Sequence, residues 1–555
     1  MTRPVRNVVL TGFMGAGKTV VGRALADLLG RRFVDLDEVI AADAGATVPE
    51  IFAAEGEAGF RRREKDAALR LSAPAGLVLA VGGGTVLDAA NREALRAGGD
   101  LVLLRASADT LAARLADVTD RPLLDGHPDR RARIADLLDA RETAYGAAAV
   151  AVDTDDLPPR TVAAVIAARL PLVLDTLPIP VPGHEGLAAL AYRKATGSRV
   201  TTGRGAACRL GALLRDVGVD GRVVLAMPDV IKDHYLPRLA ASLTDAGLPW
   251  DLLPVRDGDG EKTFDQVAEL VEQLADLGAD RGTCLVAVGG GVTGDLVGFT
   301  AACYMRGLGL VMVPTTLLAM VDAHIGGKTG VNSRRAKNMA GAFWPPLLVA
   351  ADPCLLATLP DRELACGLAE VVKTALIGDA ALFHRLEGAL AEGDRTGDPD
   401  PRRDPDLLED VVAACARVKG GVVTRDPWEL GERRLLNLGH TLGHALEAQS
   451  RFGLSHGEAV SLGLVAALHL AVARGAASRE LLDRTRRLLT ACGLPVTPPD
   501  YDEADLRARL RMDKKNRDGR LRFVVPHAPG DVRVADDVDY DEAMAALAAA
   551  AKERP

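Results

Sequence analysis

Apolar and polar residues change their spacing several times along this chain. Up to about Leu170, short apolar runs alternate with stretches whose apolar residues recur every three or four positions. The runs at 7–11, 33–36, 77–81 and 101–104 predict buried strands, and Lys18–Leu29 predicts a helix. This alternation indicates an α/β domain built on a parallel sheet. Residues 171–186 then carry Pro171, Pro178, Pro180 and Pro182, which disfavour helix and predict a linker. From Arg199 to about Pro353 strands and helices alternate again, with strands expected at 223–226, 285–288 and 310–313. Beyond about Leu359 the pattern is helical. A polar, Pro/Gly-rich stretch at 391–406 interrupts it and reads as an exposed loop. The expected division is a first domain over 1–170, a linker over 171–186, an α/β domain over 187–354 and a helical domain over 355–555.

Composition narrows the classes of function. A chain of 555 residues is too long for a single core. Aromatics are only 3%, so the cores must rest on Leu, Val and Ala. A net charge of −9 argues against general nucleic-acid binding. Seven cysteines without paired close spacings fit reduced thiols, and so a cytoplasmic protein. The expectation of no secretory leader and no membrane span rests on two absences: a basic-then-apolar start, and an uninterrupted apolar stretch of about 18 residues.

Two groups of residues carry chemistry. In the first, Gly12 to Thr19 fits G-x-x-x-x-G-K-T between a strand and a helix. Gly15, Ala16 and Gly17 turn backbone N–H groups toward phosphates, Lys18 reaches the β and γ phosphates, and Thr19 meets Mg²⁺. Asp35 and Asp37 follow at a strand end, where alternation places both carboxylates on one side. One can serve the metal and the other a hydroxylated substrate. In the second group, Glu370 and Lys373 share a helix face, as do His440 and His444, and His456 follows. A carboxylate (Glu370) with two imidazoles (His440, His456) leaves positions open, as a catalytic Zn²⁺ site requires. Upstream, Gly260-Glu261-Lys262 and the run Gly289 to Asp295 suit a dinucleotide pyrophosphate, since glycine turns permit its close approach.

The first group resembles shikimate kinase. GFMGAGKT, Asp35-Leu36-Asp37, Phe60-Arg61, Gly82-Gly83-Gly84 and Arg121-Pro122-Leu123-Leu124 occur in that family's order over about residues 5–168. The resemblance implies ATP with Mg²⁺, the metal held by Thr19 and Asp35. Shikimate is then bound by Asp37, Arg61, Gly83 and Arg141, with Arg121 in a lid segment near the transferring phosphoryl group. Arg61 suits a carboxylate, since its planar fork can bond both oxygens.

The second group resembles 3-dehydroquinate synthase over about residues 185–540. The resemblance rests on the run Pro314 to Asn332, Lys337-Asn338, Glu370-Val371-Val372-Lys373, Asn437-Leu438-Gly439-His440 and His456-Gly457-Glu458. It implies NAD and one divalent metal, Zn²⁺ or Co²⁺, held by Glu370, His440 and His456. The implied dinucleotide contacts are Asp259, Gly260, Glu261, Lys262, Thr263, Phe264, Gly291, Val292, Thr293, Gly294, Asp295, Thr315, Thr316, Lys328 and Lys337. The implied substrate-facing groups are Asp322, Lys328, Asn338, Lys373, Lys419, Arg433, Asn437, His444 and one of Lys514 and Lys515. A cationic set of this kind fits a ligand with both carboxylate and phosphate. The implied reaction converts 3-deoxy-arabino-heptulosonate 7-phosphate to 3-dehydroquinate with no net turnover of NAD. The family further implies a homodimer through this half, and small molecules rather than nucleic acid or membrane as partners.

The expectation is therefore two enzymes in one polypeptide. Three other readings stand beside it: a sugar-phosphate cyclase acting on sedoheptulose 7-phosphate, a metal-dependent polyol dehydrogenase, and a first half that binds ligand without catalysis.

Overall fold

The first strand of the computed structural model shows how the sheet of the first unit is built. The model describes residues 6–73, 75–116, 129–155, 157–170, 175–179, 198–333, 337–390, 400–450, 453–512 and 521–553. Arg121, Lys514, Lys515 and residues 391–399 lie outside the described residues. Strand β1 (Asn7–Gly12) is buried along its whole length. Val8 and Leu10 join one core with Leu25, Leu29, Val102 and Ile166. Val9 points the other way, to Leu36, Ile40, Phe60 and Leu79. A strand covered on both faces needs an unbroken apolar run, and this one has it. The other strands are β2 (Phe33–Asp35), β3 (Val78–Ala80), β4 (Gly99–Arg105) and β5 (Val150–Asp153), in the order β2-β3-β1-β4-β5, all parallel. The chain moves to opposite sides of β1 for β3 and β4. The turn after β1 therefore lies at the switch point where open α/β sheets bind ligands.

Lys18–Leu29 is a helix, bounded by Gly17 and Gly30 in left-handed conformations. The expectation for Asp35 and Asp37 needs correction. The strand stops at Asp35, and the helix Leu36–Ala44 begins at once. Asp35 caps that helix by accepting a hydrogen bond from the Asp37 N–H at 3.1 Å, and Asp37 sits in its first turn. The two carboxylates are therefore not related by strand alternation.

By contacts the chain forms two compact units. One comprises Met1–Val173, Ala207–Ala212 and His234–Gly247, and the other comprises Leu174–Ala206, Leu213–Asp233 and Leu248–Pro555. The second contains a seven-stranded sheet. Its strands are β6 (Asp175–Ile179), β7 (Ser198–Thr202), β8 (Val223–Met227), β9 (Trp250–Pro254), β10 (Cys284–Gly289), β11 (Gly309–Pro314) and β14 (Leu348–Ala351), in the order β6-β7-β14-β11-β10-β8-β9. All neighbours run parallel except β6, which pairs antiparallel with β7. This corrects the linker expected at 171–186: five of its residues form an edge strand. Proline is tolerated there because an edge strand has one side without ladder partners. Between β11 and β14, β12 (Lys328–Val331) and β13 (Ala340–Phe343) make a small antiparallel pair.

The remainder is helical with two departures. Residues 405 and 406, expected in a loop, open the helix Pro405–Arg425. Asp404 caps it, and Pro405 occupies the first turn, where its missing N–H costs nothing. A hairpin also interrupts the helices, formed by β15 (Leu521–Ala528) and β16 (Asp531–Val538) around a turn with Gly530 at φ +82°. Among the described residues one helix, His456–Ala473, is long and apolar enough to cross a membrane. Its residues are mostly buried within the fold, and it begins at His456.

Candidate active sites

In the first unit the loop after β1 is shaped by glycine. Gly17 has φ +90°, and a Cβ on Gly12 would lie 2.4 Å from the Leu104 carbonyl oxygen. The Lys18 Nζ donates to the carbonyls of Gly12 at 2.9 Å and Phe13 at 3.0 Å, which folds it back over the loop. The Thr19 hydroxyl donates to Asp35 Oδ2 at 2.9 Å, so the two expected magnesium-binding groups are adjacent.

A second group surrounds the Gly82–Gly84 turn that follows β3. Cβ atoms built on Gly82, Gly83 and Gly84 would lie 3.6 Å from Asp37 Oδ1, 3.5 Å from Arg141 Nη1 and 2.7 Å from Arg61 Nη1. Asp37, Arg61 and Arg141 thus converge on the turn, and a side chain at residue 84 would displace Arg61. The Arg141 guanidinium stands over the Phe13 ring, 5.0 Å from its centroid, which joins this group to the glycine loop. Sequence reasoning missed Glu64 and Tyr145. Glu64 is buried; it accepts from Arg61 Nη1 at 2.7 Å and from Thr85 Oγ1 at 2.6 Å, and so fixes the arginine. The Tyr145 hydroxyl donates to the Gly83 carbonyl at 3.1 Å. The three-residue spacing of Arg61 and Glu64 on a helix was the available signal.

The second unit's chemistry begins on the helix Asp361–Gly378, where Glu370 is 0% and Lys373 1% exposed. The two side chains are ion-paired. Lys373 Nζ is also 3.7 Å from Asp322 Oδ2. Asp322 lies on a wide π-type turn, Ala319–Ala323, and pairs through its other oxygen with Lys419. Lys419 Nζ also donates to the Asp322 backbone carbonyl at 2.5 Å. Two carboxylates and two ammonium groups therefore alternate. Burial would raise the Glu370 pKa, but Lys373 and His456 outweigh it and hold the carboxyl well below its usual range. Burial pulls Lys419 down to about 8, opposed by Asp322.

Two imidazoles meet this carboxylate. Glu370 Oε1 is 3.6 Å from His440 Nε2 and 3.5 Å from His456 Nε2. A tetrahedron with bonds of 2.0–2.1 Å has edges of about 3.4 Å, so these separations suit a zinc-sized ion. The His440 Nδ1 is 3.0 Å from the Leu438 carbonyl, which places the proton there and turns Nε2 toward Glu370. Glu370 Oε1, the oxygen that faces the two imidazoles, is buried and has no hydrogen-bond partner among the described residues, as expected of a ligand. The donor set fits a divalent metal. His444 is close as well: one nitrogen from each of His440, His444 and His456 lies within 4.8 Å of the others.

The expected dinucleotide groups also assemble. Lys262 Nζ donates to Asp295 Oδ2 and to Asn338 Oδ1, both at 2.5 Å. Lys337 Nζ donates to Asp259 Oδ2 at 2.6 Å and to Glu447 Oε1 at 2.9 Å. The turn after β10 leads into the helix Gly291–Cys303, which carries Val292, Thr293 and Gly294 in its first turns. A Cβ on Gly294 would lie 2.1 Å from His324 Nε2. Thr315 follows β11, and the Thr316 hydroxyl accepts from the Ala319 N–H at 3.2 Å. Phe264 is exposed and meets Phe299 edge-on. Gly260, Glu261 and Thr263 lie between Asp259 and Phe264, where Thr263 caps the helix that follows. Lys328 Nζ donates to Glu429 Oε2 at 2.6 Å, and Asn437 Nδ2 donates to Glu429 Oε1 at 3.3 Å. Arg433 is buried, and its guanidinium donates to the carbonyls of Pro427 and Gly326. Glu447 and Glu429 were missed. Glu447 follows His440 and His444 at helical spacing, a legible signal.

A glycine cradle beside a buried carboxylate and imidazoles defines a class of enzyme that combines a dinucleotide with a metal. Comparison with known proteins agrees. Residues 14–171 match the family model for shikimate kinase, 252–366 that for the N-terminal part of 3-dehydroquinate synthase, and 367–516 that for its C-terminal part. The 3-dehydroquinate synthase of Synechococcus sp. (strain CC9605) is 43% identical over 355 residues, covering 63% of this chain and 93% of that protein. That of Caulobacter vibrioides (strain NA1000 / CB15N) is 43% identical over 339 residues, covering 60% and 89%. Among solved structures, the 2-epi-5-epi-valiolone synthase ValA of Streptomyces hygroscopicus subsp. jinggangensis 5008, with NAD⁺ and Zn²⁺ bound, superposes with TM-score 0.57 at 34% identity, covering 62% of this chain and 95% of that one. A 2-deoxy-scyllo-inosose synthase with carbaglucose-6-phosphate, NAD⁺ and Co²⁺ gives 0.52 at 26% identity, covering 61% and 93%.

The chain belongs to the 3-dehydroquinate synthase family and carries a shikimate kinase domain ahead of the synthase. It joins two enzymes of the shikimate pathway, and the expected α/β architecture of both holds.

Proposed function

We propose that the first unit transfers a phosphoryl group from ATP to shikimate, and that the second converts 3-deoxy-arabino-heptulosonate 7-phosphate to 3-dehydroquinate and phosphate. The observation that carries the second assignment is the line of alternating charges Glu370, Lys373, Asp322 and Lys419, three of them buried, beside three imidazoles.

Glu370, His440 and His456 would hold the divalent metal, Zn²⁺ or Co²⁺, which acidifies a hydroxyl of the substrate when bound. Asp259, Lys262, Asp295, Thr315, Thr316 and Lys337 hold NAD, with Gly291 to Gly294 permitting close approach. Lys373 and Lys419 present positive charge to the substrate's anionic groups, and Asp322 holds both ammonium groups in place. Lys328, Asn338, Arg433 and Asn437 complete the polar wall, and His444 is placed to move a proton. In the first unit, Lys18 and Arg121 stabilise the phosphoryl group, Thr19 and Asp35 hold Mg²⁺, and Asp37, Arg61, Gly83 and Arg141 orient shikimate.

Substrate choice tests the synthase reading against a sedoheptulose 7-phosphate cyclase. Phosphate release should favour the heptulosonate over sedoheptulose 7-phosphate by about 10²-fold or more, because the latter lacks the carboxylate that the cationic set is suited to bind. Comparable kcat/KM values for the two sugars would move the assignment to the other cyclase.

The synthase half is proposed to form a homodimer. Supporting this, it exposes Met305, Met339, Phe343, Trp428 and Leu430. Sedimentation equilibrium should give twice the chain mass at micromolar concentration, and a single-chain mass would refute the dimer. A cytoplasmic location is supported by the cysteines, none of which forms a disulfide among the described residues.

A further inference from the structure

We propose that Glu447 is a positioning residue that ties the metal ligand His456 to the dinucleotide-binding segment, so that metal and dinucleotide affinities are coupled. The inference rests on the metal and NAD reading above and deepens it. Glu447 lies on the helix His440–Gln449, on the face that carries His440 and His444, and its side chain is buried. Each of its oxygens has a different task. Oε2 is 3.3 Å from His456 Nδ1, and Oε1 accepts from Lys337 Nζ at 2.9 Å. Lys337 then reaches Asp259 Oδ2 at 2.6 Å. An unbroken line of charged contacts therefore runs from His456 to the segment 259–264.

The chemistry gives this line direction. A carboxylate at Nδ1 keeps the imidazole proton on that nitrogen, leaves the Nε2 lone pair toward Glu370, and raises its donor strength. His440 has only a backbone carbonyl at the same position, so its orientation depends on its own helix end. His456 depends on a side chain whose other oxygen is engaged by Lys337. Taken alone, a buried Glu447 would be costly to keep charged, and Lys337 compensates it. A dinucleotide that engages Asp259 and Lys337 draws on the same lysine that holds Glu447, and with it the orientation of the His456 ring. Linkage then requires the metal to alter dinucleotide affinity by the same factor.

The test uses the full chain stripped of metal by a chelator. Zn²⁺ affinity is read by competition with a chromogenic chelator, with and without saturating NAD⁺, and the visible spectrum of the Co²⁺-loaded protein reports ligand geometry. Glu447→Gln should weaken Zn²⁺ binding by about ten- to one-hundred-fold and shift the Co²⁺ bands. NAD⁺ should change the wild-type Zn²⁺ affinity by about five-fold or more and change that of Glu447→Gln by less. Glu447→Asp, which keeps the charge, should recover most of the loss. A packing role predicts the reverse, since Gln fills the space better than Asp. A Glu447→Gln affinity within two-fold of wild type, with unchanged Co²⁺ bands, overturns the positioning role, and an NAD⁺-independent wild-type affinity overturns the coupling. His440→Ala separates the metal assignment from the role of Glu447: if it too binds Zn²⁺ like wild type, the metal site itself has been misassigned.

Discussion

Lys18→Ala lowers ADP formation with shikimate by about 10²–10³-fold or more and leaves phosphate release from the heptulosonate phosphate unchanged. His440→Ala does the opposite. The first effect follows from the place of Lys18 at the mouth of the glycine loop. There its ammonium is held by the Gly12 and Phe13 carbonyls until a triphosphate offers stronger partners. The second follows from the loss of one of the few nitrogens directed at Glu370. Each site is contained within one unit. Assaying both activities in both variants checks the claim, and loss of both activities in either variant would contradict independent sites.

Lys373→Met destabilises the metal-free synthase unit by about 3–5 kcal/mol, because it removes the buried cation between the buried Glu370 and the partly buried Asp322. Lys419 still serves Asp322, but Glu370 is left with the imidazoles of His440 and His456. Uptake of a proton by Glu370 caps the cost. In the Zn²⁺-loaded protein the ion takes over the neutralisation of Glu370, so the loss should shrink. The chain supplies its own probe: Trp250, Trp344 and Trp428 are its three tryptophans, and all lie in the second unit. Urea titrations followed by tryptophan fluorescence, with chelator and with Zn²⁺, compare the two states. Equal drops in midpoint would mean that Lys373 acts through packing rather than charge.

Much of this architecture was legible because local signals and burial agreed. The helix Lys18–Leu29 starts and stops at glycines, and β1 reads as an apolar run because both of its faces are covered. The imidazoles were legible because helical spacing alone puts His440 and His444 on one face. The misreadings have a common cause, which is that tertiary partners decide what short segments become. Asp37 was assigned to a strand that ends two residues earlier, once Asp35 caps the next helix. The hairpin β15–β16 was absorbed into a helical pattern because its apolar residues also fit a longer spacing. Glu64 and Glu447 were passed over because their partners Arg61, Thr85, His456 and Lys337 are brought to them by the fold.

The strand β6 bears on how the polypeptide can be divided. It supplies the outermost rung of the synthase sheet from a stretch that composition marks as dispensable. A synthase fragment started just after the prolines would leave the β7 margin bare, and bare margins recruit other chains into fibrils and precipitates. Scissors placed ahead of Asp175 would spare that rung and yield a fragment able to stay in solution.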